Sequence, residues 1–95
     1  MTPVTTSSTF KISSNAVFEA FEDEVIVINM VSGSYFAMDA VALSIWTLLQ
    51  SQAPLQAIVE AIQEYYQGDP AAIESAVKAL VDELEQEAFL LQFIH

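Results

Sequence analysis

The unbroken β-branched run Val25-Ile26-Val27-Ile28 is followed by a turn, Ser32-Gly33-Ser34, then by the aromatic segment Tyr35-Phe36-Ala37-Met38 and a helix carrying Ile45-Trp46-Thr47-Leu48-Leu49. Such a run suits the central strand of a small sheet, covered on both faces or nearly so. Gly33 is free to take positive φ in the turn. Asp39 makes a good N-cap for a helix running to about Gln50, its side chain accepting a backbone N–H in the first turn. Strand, turn, strand and then helix leaves the last strand at a sheet edge, with N–H and C=O groups open to a second chain. The order points to a small peptide-binding domain.

Around this centre the chain carries further elements. Val17-Phe18-Glu19-Ala20-Phe21 is β-prone, and Glu22-Asp23-Glu24 is short and polar enough to turn it back. Phe10 to Ile12 is a candidate short strand. Pro54 stands where a first helical residue belongs, and Leu55, Ile58, Val59, Ile62, Tyr65 and Tyr66 recur at helical spacing up to Gly68, a natural stop. Asp69-Pro70 pairs an N-cap with a first-turn proline, and Ile73, Val77, Leu80, Val81 and Leu84 mark one face of a third helix. The apolar stretch Ala88 to Ile94 is a fourth strand, a docked extension or an oligomer contact. Ile45 and Leu49 place Trp46 in the core rather than on the surface. Tyr35 and Phe36 point to opposite faces of their strand, and spacing does not say which of them meets a peptide.

Ninety-five residues make one domain, which buries about 60 to 65 per cent of its extended surface. Residues 1–9, rich in Thr and Ser, read as a disordered tail, and 10–95 as the domain. No cysteine is present, which removes disulfides, thiolate metal sites and cysteine nucleophiles. The single histidine, His95, ends the chain, and the acidic clusters lack the ligand pattern of a calcium loop. No cofactor, no metal and no catalytic residue is expected. Thirteen acidic residues against Lys11 and Lys78 leave a net charge of −11, the wrong sign for nucleic acid or an anionic membrane. No apolar run approaches the roughly 20 residues of a membrane span, and nothing resembles a signal peptide. The expected location is the cytoplasm. A mean hydropathy of +0.43 at this charge hints at an exposed apolar patch.

Gly33-x-Tyr35-Phe36-x-Met38-Asp39, Ile45-Trp46-x-Leu48-Leu49 and Asp69-Pro70, in this order over about residues 10 to 91, resemble the PqqD-like family of leader-peptide recognition domains. Such chains often have Leu-Asn where Met38-Asp39 stands, Asp in place of Ala76, and Gly in place of Ala88 ahead of Phe89-Leu90. The resemblance implies an α+β, winged helix-turn-helix-like fold, a three-stranded antiparallel sheet followed by three helices. It also implies that the third strand, Ser34 through Met38 (Ser34, Tyr35, Phe36, Ala37 and Met38), accepts the leader of a ribosomally made precursor as an added antiparallel strand, in a groove against the third helix. The implied partners are that precursor leader and a separate modifying enzyme, either a radical enzyme or a leader protease and cyclase.

Spacing offers two shoulders on the third helix. Glu74, Lys78, Val81 and Glu85 form one, and Ala72, Ala76, Ala79 and Glu83 the other. Long side chains reach over a groove whereas alanines permit close packing, so the Lys78 shoulder is assigned to the peptide, and Lys78→Glu is expected to weaken leader binding. A winged-helix DNA binder is disfavoured by the acidic third helix. An acyl carrier is disfavoured because Asp39 is followed by Ala40 and Asp69 by Pro70, where a serine is needed. The competing reading is a homodimerising scaffold module, because an edge strand and an apolar tail pair with a second copy as readily as with a peptide.

Overall fold

A computed structural model describes residues 9–22 and 24–92. The expected tail up to residue 8, Asp23 of the first turn, and Phe93, Ile94 and His95 lie outside the described residues. The elements in chain order are β1 (Phe10–Ile12), β2 (Ala16–Ala20), β3 (Val25–Asn29), β4 (Tyr35–Met38), α1 (Ala40–Gln50), α2 (Leu55–Tyr65), α3 (Pro70–Gln86) and β5 (Leu90–Gln92). β2, β3 and β4 form an antiparallel sheet in that order, with β3 central. The class is therefore α+β, an antiparallel three-stranded sheet followed by three helices. To it is added a two-stranded sheet, in which β1 pairs antiparallel with β5, Phe10 opposite Gln92 and Ile12 opposite Leu90. Of the three roles open to the C-terminal stretch, Leu90–Gln92 takes that of a strand.

Among the described residues the main sheet is covered on one face only, which differs from the two-sided cover expected for β3. Val27 and Asn29 point inward and are buried, while Ile26 and Ile28 on the other face are half-buried. Register places Val17, Ile28 and Tyr35 side by side on that outer face, and Tyr35 is 69 % exposed. An unbroken β-branched run is what two-sided burial looks like in sequence, but here half of it forms an apolar outer surface.

Inside, Val27 and Met38 meet Trp46, Ile45 and Leu49 of α1, Leu55, Ile58 and Ile62 of α2, Val77, Val81 and Leu84 of α3, and Phe10 and Phe89 from the small sheet. Trp46 is a core residue, although its buried indole N–H has no hydrogen-bond partner among the described residues. The Asp39 carboxylate accepts from the Ala42 N–H at 2.8 Å and caps α1. Pro54 sits one residue ahead of α2, at its N-cap, rather than at its first helical position. α2 ends at Tyr65, before Gly68, because Tyr66 turns to extended backbone and its phenol hydroxyl lies 3.2 Å from the Ser44 hydroxyl.

Both α1 and α3 end in the same hydrogen-bonded motif. At α3 the Phe89 N–H donates to Leu84 C=O at 2.9 Å and the Ala88 N–H to Glu85 C=O at 3.0 Å, with Phe89 and Leu84 fully buried. This is a Schellman motif, whose turning residue takes the left-handed conformation that glycine prefers. Here that residue is Ala88, at φ 62. Left-handed backbone costs an L-residue about 1–2 kcal/mol, partly offset because glycine gains freedom in the unfolded chain. Ala88→Gly should therefore raise the unfolding free energy by about 0.5–1 kcal/mol in urea titrations followed by Trp46 fluorescence.

Candidate functional site

The hydrogen-bond phase of β3 decides which backbone groups of β4 are free. The Asn29 N–H donates toward β4, to Ser34 C=O at 2.8 Å, whereas the Met30 N–H donates the other way, to Asn15 C=O at 2.9 Å. Odd positions of β3 therefore bond β4 and even positions bond β2. Val27 and Val25 consequently bond Phe36 and Met38, and the N–H and C=O of Tyr35 and Ala37 point out from the edge. The side chains divide in the same way, with Phe36 and Met38 inward, Tyr35 exposed on the outer face and Ser34 half-buried at the turn. Of the two aromatics, Phe36 is the one beside the groove described next.

Along this edge runs a groove of about 460 Å³. Phe36 and Ala37 line one wall, Val41, Ala42 and Ile45 of α1 with Ile62 and Tyr66 form its base, and Ile73, Ala76, Val77 and Leu80 of α3 form the opposite wall. Asp39 is the single charged residue of the lining. An apolar trough beside a row of outward-facing backbone donors and acceptors is an arrangement that suits an extended peptide: main-chain bonds would hold it, and its alternate side chains would drop into the trough.

The structure brings the strand residues Ser34, Tyr35, Phe36, Ala37 and Met38 to this edge but leaves the Lys78 shoulder outside the groove lining. Val81 is 0 % exposed and belongs to the core. The Lys78 ammonium donates to the Glu74 carboxylate at 3.1 Å in an i,i+4 pair, and Glu74 lines a shallow hollow with Gln56, Val59, Glu60 and Gln63 of α2. At Glu85, partial burial and then the Asp82 carboxylate push the carboxyl group up from its ordinary value. The α3 wall of the groove is made by Ile73, Val77 and Leu80 of the core stripe, with Ala76 as the one residue of the other shoulder among them. Spacing offers two shoulders on either side of one core stripe, and the side of α3 that packs on α2 and β5 is set by contacts that spacing does not show.

Asn29 was missed in sequence, where it reads as the polar end of a strand. It is 4 % exposed, and it alone among the described polar and charged residues is buried. A second cavity, of about 520 Å³, lies at the hairpin end of the sheet, lined by Asn29, Ser32 and Ser34 together with Lys11, Glu87 and Leu91. Among the described residues no three His, Asp or Glu side chains gather as a metal site, and no helix is long and apolar enough to cross a membrane.

Two solved structures share this architecture. One, "TbiB1 in Complex with the TbiA(beta) Leader Peptide", is 30% identical, superposes with a TM-score of 0.77, and is matched over 90% of this chain and 99% of its own. The other, "Lasso peptide synthetase B1 complexed with the leader peptide", has the same TM-score of 0.77 at 17% identity, over 86% of this chain and 96% of its own, a likeness of fold. No curated protein sequence matches the chain. Residues 24–90 match the family described as Coenzyme PQQ synthesis protein D (PqqD), a span from the β2–β3 turn into β5 that takes in the whole of the groove, and the chain belongs to that family.

Proposed function

We propose that this chain binds the leader segment of a ribosomally made precursor peptide as a strand added antiparallel to β4. The reading is carried by the outward-facing Tyr35 and Ala37 backbone groups standing opposite the apolar wall of α3. It is supported by the 30% identical TbiB1, whose structure holds a leader peptide on the same fold. The chain does no chemistry of its own. It raises the effective concentration of the precursor at a separate modifying enzyme, a radical enzyme or a leader protease and cyclase. The open outer face, with Val17, Ile28 and Tyr35 in one row, gives such an enzyme an apolar surface to rest on while the groove is occupied.

The same face also favours the homodimer reading, but two copies would bring together charges of −11 each, which works against association at low salt. An amide NMR titration with the leader half of its precursor peptide tests both readings. Saturable shifts along Ser34 to Met38 and the Ile73 to Leu80 face of α3 are expected. Shifts absent at high peptide excess, together with a dimer in sedimentation, would transfer the assignment to the scaffold module.

A further inference from the structure

Asn29 joins the β3–β4 turn to the C-terminal end of α3, the two elements that continue into the walls of the groove. Its side-chain oxygen accepts from the N–H groups of Val31 at 2.9 Å and Ser32 at 3.3 Å, which shapes the turn leading into β4. Its side-chain nitrogen donates to the carbonyls of Glu87 at 3.2 Å and Ala88 at 3.4 Å, where α3 ends. One buried amide thus accepts from donors of the β3–β4 turn and donates to carbonyls at a helix C-terminus, where the helix itself supplies no partner. At its other end β4 runs through Asp39 directly into α1, so that end of the groove is set by the chain itself. At the Ser34 end the hairpin is joined to α3 through these two hydrogen bonds.

We infer that Asn29 is a positioning residue for peptide capture: it sets the separation of β4 from α3, and with it the width of the groove, without touching the peptide. The inference rests on the groove being the leader site. A strand that must bond β4 and bury its side chains against α3 at once tolerates little change in that separation, because both sets of contacts are short-ranged.

Asn29→Asp separates this role from turn formation. The carboxylate still accepts from Val31 and Ser32, but it sets a negative oxygen against the two α3 carbonyls in place of a donor. Asn29→Ser serves as a second variant, since its hydroxyl is too short to reach α3. Val59→Ala, a core truncation on α2, controls for lost stability. Affinity for a synthetic peptide of the leader half of that precursor is measured where circular dichroism and Trp46 fluorescence show each protein folded. Asn29→Asp, or Asn29→Ser should the first not fold, is expected to bind roughly tenfold or more weakly through faster dissociation, with Val59→Ala within about twofold of the parent. Asn29 variants that bind no worse than Val59→Ala overturn the inference and leave the groove reading standing; a parent chain that does not bind the peptide overturns the groove reading itself.

Discussion

An Ala37→Pro chain should fold with stability within about 1 kcal/mol of the parent, and should bind leader peptide at least roughly tenfold more weakly. The first half of this result follows from hydrogen-bond phase. Because odd positions of β3 bond β4, the Ala37 N–H lies on the side away from β3, and proline there removes no bond of the existing sheet. Proline is tolerated on an edge strand for this reason, and its fixed φ is compatible with extended backbone. The second half follows from what an added strand needs. Its carbonyl opposite Ala37 would lose its donor and meet the pyrrolidine ring instead, and an unpaired carbonyl in a desolvated groove costs about 1–3 kcal/mol. Ala37→Ser keeps the N–H and should bind like the parent. Calorimetric titration of all three proteins with one leader peptide is the measurement, and an Ala37→Pro chain of unchanged affinity would remove strand addition on β4 from consideration.

The parts of this molecule legible in sequence are those set by contacts between near neighbours. Asp39 caps α1, Gly33 takes φ 78 in the turn, and Pro70 begins α3, all as local chemistry dictates. The pairing of β1 with β5 joins residues some eighty positions apart, and neither three-residue strand has a period long enough to announce its partner. The one-sided cover of β3 was hidden because Ile26 and Ile28, though partly open to solvent, are the same residue types as a buried strand would use. Asn29 was hidden for a related reason: asparagine after an apolar run signals a turn, and that role it does fill, but its second set of bonds is to Glu87 and Ala88, nearly sixty residues on.

Ala76→Trp should leave α3 helical and reduce leader affinity by roughly tenfold or more, whereas Lys78→Glu should change it by no more than about twofold. The two positions are neighbours in sequence on opposite sides of the α3 core stripe, so the pair decides which shoulder the peptide meets. Ala76 is an exposed residue on the groove wall beside Val77 and Leu80, and a tryptophan there stands in the trough that the leader's side chains would fill. The cost to the helix itself is small, because tryptophan falls only about half a kcal/mol below alanine in helix propensity. Alanine keeps this wall of the groove apolar and leaves Asp39 as its one charged residue. At Lys78 the change breaks a partly exposed pair with Glu74 that is worth a few tenths of a kcal/mol, on a side of α3 that faces α2 and solvent. Fluorescence anisotropy of a labelled leader peptide reads both variants. Tight binding by Ala76→Trp together with weak binding by Lys78→Glu would move the peptide to the other shoulder, where long charged side chains and not the apolar trough would have to hold it.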